Sequence, residues 1–225
     1  MRYTAENLLL KSSPSESGVS VLNSVTADRA GWEMLNLDVR RFARNETWGR
    51  DTGDGELGLV MLGGRCSVKS TRGDWDSVGH RVNVFSGKAE ALYLPRHTSF
   101  EVNALVDETE IAVCWVPTDE DHPAQHVRAE DNPVEIRGGG TATRQINSIF
   151  PPGFDCHRLV CVEVYTPGGN WSSYPPHKHD VHREDENGNL LEADLEEIYF
   201  YKMEQTTGFA VQRVYFYCPK SCSSI

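Results

Sequence analysis

The chain reads as an all-β protein built from two consecutive barrels. Three observations lead there: apolar runs of strand length recur along it, turn residues separate most of them, and helical periodicity is nearly absent. In order, Trp32 to Val39, Leu57 to Leu62, Cys66 to Val68, Val82 to Phe85, Ala91 to Leu94, Phe100 to Val106 and Ile111 to Val116 are strand-like, with Gly, Asp, Ser or Pro between most of them. Such spacing suggests a sandwich or jelly-roll barrel. After Pro117 comes an acidic connector in which Thr118-Asp-Glu-Asp is expected to cap a short helical turn. A second series follows: Val134 to Arg137, Leu159 to Thr166, Tyr174 to His179, Glu197 to Tyr201 and Phe209 to Tyr217. The expected units are residues 1–130 and 131–225.

Composition narrows the function classes. The 225 residues suffice for one large domain or two small ones with a sizeable core. A net charge of -11 argues against a nucleic-acid surface, which needs clustered Lys and Arg. No apolar run approaches the ~20 residues that span a bilayer, and the first residues lack the apolar stretch of a secretory signal. A cytoplasmic protein without a membrane partner is expected. Of six cysteines, Cys66, Cys114 and Cys161 lie in apolar runs and read as buried free thiols. Cys218 and Cys222 have no matching His or Cys pair nearby. The sequons at Asn45 and Asn170 are expected to stay unmodified in a chain without secretory signals.

The most informative stretch is Gly168-Gly-Asn-Trp-Ser-Ser-Tyr-Pro-Pro-His-Lys-His-Asp180, followed by Leu195-Glu-Glu-Ile-Tyr-Phe-Tyr201. On an extended chain His177 and His179 project together while Lys178 projects away. The return segment can supply an anion, because Glu197, Tyr199 and Tyr201 alternate with Ile198 and Phe200. Two imidazoles and a carboxylate make a three-ligand divalent-metal site with positions left open. A lone His-x-His is as often a surface pair; the Glu-bearing segment is what favours a site. His80 and His97 stand alone and read as structural. Between the two arms, Asn187-Gly188 marks a tight turn in a long solvated hairpin loop, and His182 reads as part of its charged surface.

At these residues the chain resembles the 5-deoxy-glucuronate isomerases, enzymes of inositol breakdown in the cupin superfamily related to the 4-deoxy-uronate isomerases. The likeness extends through Val82-Asn-Val-Phe-Ser-Gly87, Ala91-Leu-Tyr-Leu-Pro95 and Arg137-Gly-Gly-Gly-Thr-Ala-Thr-Arg144. It implies a bicupin, two jelly-roll barrels with the metal in the second. It implies also that Glu197 is the ligand and that Glu196 faces outward. The implied reaction converts 5-deoxy-glucuronate to 5-keto-2-deoxygluconate, with a cation of zinc, manganese or iron type on His177, His179 and Glu197. Tyr199, Tyr174 and Asp180 are candidates to move the proton by position alone, and a hydride shift needs none of them. A sugar-acid substrate carries a carboxylate, for which Arg137 and Arg144 are candidate anchors beside the alternative of solvated arginines in a Gly-rich turn.

One departure accompanies the likeness. Family members continue past the equivalent of Tyr217 with further strands and a Gly-Tyr-His-Pro-like segment whose His completes the metal site, whereas this chain ends in Cys218-Pro-Lys-Ser-Cys-Ser-Ser-Ile225. The expectation is a C-terminally truncated member whose second barrel is incomplete. Alternatives are a cupin dioxygenase, a non-catalytic sugar-binding or storage cupin, or an inactive fragment. Nothing in the sequence fixes a homo-oligomer.

Overall fold

The computed structural model of the chain describes residues 8–11, 19–174 and 176–214. Ten strands form the N-terminal part: β1 (Ser20–Val25), β2 (Asn36–Phe42), β3 (Thr47–Asp51), β4 (Gly55–Gly63), β5 (Cys66–Ser70), β6 (Gly73–Val78), β7 (Ala91–Leu94), β8 (Ser99–Ala104), β9 (Thr109–Pro117) and β10 (Gln125–Val127). They make two antiparallel sheets, one of order β1-β2-β9-β4-β7-β10 and one of order β3-β8-β5-β6. A single α-helical turn, α1 (Ala27–Ala30), links β1 to β2.

The central strand β4 is buried at all nine positions, and its apolar run from Leu57 to Leu62 follows from burial on both faces. Period-two alternation sorts its side chains. Leu57, Leu59 and Met61 join Leu92, Leu94, Ile111 and Val113 in packing on Cys66, Val68, Phe100 and Val102 of the four-stranded sheet. Val60 faces the other way with Ala91, Tyr93 and Val116, against Ile149, Phe150 and Leu159. Each such aliphatic side chain contributes about 1.5–3 kcal/mol by leaving water. The six-stranded sheet is thus the middle layer of the molecule.

The third layer consists of β11 (Val134–Arg137), β12 (Arg144–Phe150) and β13 (Cys161–Tyr165), antiparallel in that order. Among the described residues, the strands after it are those of a small hairpin, β14 (Arg183–Glu184) with β15 (Leu190–Glu192), closed by Asp185–Asn189 with Gly188 at φ 79°. The Asn187-Gly188 turn stands where the sequence predicts it.

Buried polar groups stitch the layers. The fully buried Glu56 carboxylate accepts from the amides of His157 (2.9 Å), Arg158 (2.6 Å) and Leu159 (2.8 Å) and from the Tyr93 hydroxyl (2.8 Å). Arg81, its side chain wholly enclosed, pairs with Glu163 and donates to the Met61 carbonyl. Glu110 takes both Arg41 and Lys202.

Several expected elements differ. Trp32 to Leu35 is a turn after the left-handed cap Gly31, and the strand starts at Asn36. Val82 to Phe85 is also a turn, because the Asn83 side chain accepts the Phe85 amide at 2.9 Å and competes with any ladder. Thr118 caps its turn by accepting from the Glu120 amide at 3.1 Å, yet no helix follows. Tyr174 to His179, Glu197 to Tyr201 and residues 209–214 form no regular strand among the described residues, and 215–217 lie outside them. Cys66, Cys114, Cys156 and Cys161 are free thiols, whereas Cys218 and Cys222 lie outside the described residues.

Candidate metal centre

The cluster is assembled from two irregular arms of the C-terminal part. The first follows β13 and rests on the Gly-rich turn between β11 and β12. That turn needs its glycines: a Cβ at Gly138, whose φ is 84°, would stand 2.1 Å from the Ala142 carbonyl oxygen. Its backbone carries the lead-in, since the Trp171 amide donates to the Thr141 carbonyl (2.7 Å) and the Asn170 side chain to the Thr143 carbonyl (2.8 Å). The second arm returns from β15, and the Leu195 amide meets the His179 carbonyl at 3.0 Å.

These arms bring His177, His179 and Glu197 together, with one ligand atom from each lying within 4.8 Å of the others. The two imidazoles stand edge to face at 5.1 Å. His179 Nδ1 lies 3.3 Å from the Ala193 carbonyl, the partner that leaves Nε2 for a cation. His177 Nδ1 lies 3.1 Å from the Ser173 hydroxyl. Lys178 points away, between Asp180 (2.7 Å) and Glu192 (2.9 Å), and so ties the His-x-His segment to the hairpin. Atoms bound about 2.1 Å from a shared cation stand roughly 3–4 Å apart, so small side-chain rotations close the cluster on an ion. The three residues fit a divalent metal.

The other expected site residues fall in different places. The Tyr199 phenol bonds to Glu197, and burial together with that bond raises its pKa. Tyr201 stacks on Tyr199 at 6.1 Å and donates to Gln212. Tyr174 is exposed and packs beside Trp171 at 5.9 Å. Asp180 is held to Lys178, whose ammonium lowers its pKa. Arg137 is exposed and pairs with Glu135 at 2.7 Å; Arg144, its partner across the β11–β12 register, donates to the Ala142 carbonyl at 3.2 Å. His182 pairs with Glu184 at 3.1 Å, as its charged loop suggests. Of the single histidines, His80 bonds to Glu90 at 2.6 Å and His97 stands in a left-handed turn 3.5 Å from Asp54.

Glu196 takes no part in the cluster and has partners of its own. Its carboxylate accepts from the amides of Glu33 (2.6 Å), Met34 (2.9 Å) and Leu35 (2.6 Å). Partners more than 160 residues distant leave no local signal, and Ser173 and Asn170 likewise gave none beyond their nearness to the motif.

Fold and site define a class, an all-β protein of layered antiparallel sheets with a His-x-His and Glu cluster suited to a divalent cation. The chain belongs to the KduI/IolB family, whose model matches residues 8–222. Among curated relatives, the 5-deoxy-glucuronate isomerase of Geobacillus thermodenitrificans (strain NG80-2) is 40% identical over 205 residues, covering 90% of this chain and 72% of that protein. That of Bacillus subtilis (strain 168) is 32% identical over 202 residues, covering 88% and 72%. The crystal structure of an IolB-like protein from Salmonella typhimurium LT2 superposes with a TM-score of 0.74 at 34% identity, covering 79% of this chain and 66% of that one. No helix among the described residues is long and apolar enough to cross a membrane.

Proposed function

We propose that this chain is a sugar-acid isomerase that converts 5-deoxy-glucuronate to 5-keto-2-deoxygluconate, a small-molecule reaction of the cytoplasm. The observation that carries the reading is the convergence of His177, His179 and Glu197 in a chain whose relatives bear that isomerase name. The reading includes a bicupin architecture, with a first barrel in residues 1–130 and the metal-binding one in 131–225.

His177, His179 and Glu197 are the ligands we assign, and two imidazoles with a carboxylate suit zinc, manganese or iron. When bound, the cation supplies Lewis-acid and templating chemistry at the substrate's carbonyl and adjacent hydroxyl. The chain's own groups do the rest. Moving the carbonyl from C1 to C2 takes one hydrogen from C2 to C1 and one hydroxyl proton from O2 to O1; a hydride shift carries the first directly, whereas a proton-transfer route needs a group to hold it. Tyr199, bonded to the Glu197 ligand, is assigned to hold or deliver a proton at a substrate oxygen. Tyr174 and Asp180 flank the ligands; the Lys178 and Glu192 ties that steady this arm leave Asp180 a lesser role. Arg144 is the better placed carboxylate anchor, since Arg137 is already paired with Glu135.

The experiment is direct. The purified chain loaded with Mn(II), Zn(II) or Fe(II) receives 5-deoxy-glucuronate, and the keto product is followed by chromatography and NMR. Product from the wild type and at least about a hundredfold less from His177→Ala, His179→Ala and Glu197→Gln is expected. Absence of product with Mn(II), Zn(II) and Fe(II) alike overturns the assignment.

A further inference from the structure

Glu197 reaches the cluster although no sheet aims it. The segment from 195 to 214 joins no strand among the described residues, and a single backbone bond, Leu195 to His179, is described between the two arms of the site. In an extended chain a slip of one residue reverses every side chain, so the two arms alone give little protection against presenting a neighbour in place of Glu197. Further along, Phe200 packs on Leu22, Val39 and Leu62 and Lys202 pairs with Glu110, which leaves the position beside Glu197 to be held. Something outside the two arms must hold the register.

Glu196 meets that need. Its carboxylate receives three consecutive amides, from Glu33, Met34 and Leu35, at 2.6, 2.9 and 2.6 Å. Bonds from N–H groups to a carboxylate are short and about twice as strong as neutral ones, and three together fix both position and direction. The receiving turn is itself rigid: Trp32 Nε1 donates to the Leu35 carbonyl (2.9 Å), the Asn36 side chain donates to the Met34 carbonyl (2.7 Å), and the Ala27 amide donates to Asn36 Oδ1 (2.9 Å). Successive side chains of an extended chain point oppositely. With Glu196 clamped to the N-terminal part, Glu197 is turned toward His177 and His179.

We propose that Glu196 is a positioning residue for the metal centre, and that the 33–35 turn, through it, sets the metal affinity of a site more than 160 residues away in the chain. The proposal rests on the metal-centre reading given above. By linkage the coupling runs both ways: a cation held by Glu197 tightens the Glu196 clamp as much as the clamp favours the cation.

Co(II) is the probe, added to the full chain. Affinity comes from calorimetry, ligand geometry from the visible d–d absorption, and the clamp from amide hydrogen exchange at residues 33–35. The wild type is expected to bind one Co(II) and to slow exchange at those amides on binding. Glu196→Gln is expected to weaken Co(II) binding about 10–100-fold, shift the absorption bands and abolish the metal-induced protection. Glu196→Asp keeps the charge one methylene short and is expected to fall between; it carries the test if the Gln variant does not fold. Glu56→Gln removes a comparable carboxylate tether at the other junction and is expected to lower the melting temperature while leaving affinity and spectrum unchanged. Wild-type affinity and spectrum in both Glu196 variants, or an equal change in Glu56→Gln, overturns the positioning role alone. A wild type that binds no Co(II) removes the metal reading and this inference with it.

Discussion

A Cβ at Gly58 would stand 2.6 Å from Phe150 Cε2 and 2.9 Å from Cys114 Sγ, so the middle layer meets the third layer at a position where one methyl group is too many. Gly58→Ala is therefore expected to cost about 1–3 kcal/mol, read as a lowered denaturation midpoint with unchanged slope; an unaltered midpoint would show that Phe150 gives way freely. The same close packing governs the thiols. Burial pushes Cys66 up to about 12, and such a thiol stays protonated and inert, as its apolar run suggests. At the site, the chemistry of each residue is set by its partner: the Ala193 carbonyl orients His179, and Lys178 occupies Asp180.

Among the elements, β4, β7 and β9 were legible because burial on two faces demands apolar residues at every position, and their sequences are nearly continuous in them. Glu56, at the second position of β4, departs from that pattern for a reason the pattern does not reveal: it collects three amides from 157–159. Glu56→Gln keeps one acceptor oxygen and is expected to cost about 2–3 kcal/mol in urea unfolding, because a buried donor left without a partner bears its full desolvation penalty. A loss below about 0.5 kcal/mol would mean that these amides find other acceptors. The His-x-His spacing and the Glu-bearing return segment were legible too, since alternation in an extended chain does not require a sheet. What was not legible is how those arms are held. Alternation suggested paired strands at 174–179 and 197–201, yet their backbone is fixed by side chains, Asn170 on Thr143 and Glu196 on the 33–35 turn, whose partners come from remote parts of the chain. The Val82-Asn-Val-Phe run misled for a similar reason, as the Asn83 side chain outcompeted a ladder.

For the molecule as a whole, ionisable contacts across the layers imply a stability optimum. Glu110 is buried, which alone raises its pKa, but Lys202 and Arg41 outweigh burial and hold it below the ordinary value. A lowered carboxylate contributes stability above about pH 4.3 and loses it as pH falls through the lowered value. His122 is raised, chiefly by its bond to Asp155 and further by Glu120, so its contribution is complete below about pH 6.5 and is lost as pH rises through the raised value. Melting temperatures measured across pH are expected to peak between those limits, with Glu110→Gln flattening the acid limb and His122→Asn the alkaline one; limbs unchanged in both variants would assign the pH dependence to other groups. These junctions matter to the proposal that the candidate metal cluster is positioned from the N-terminal part through Glu196. The central claim, that His177, His179 and Glu197 jointly grip one cation, is tested most directly by titrating Mn(II) into the apo chain and reading free ion by electron paramagnetic resonance. One equivalent bound by the wild type, and affinity lower by about 10–100-fold or more in each of His177→Ala, His179→Ala and Glu197→Gln, is the expected result. Equal binding by the wild type and all three variants would contradict it.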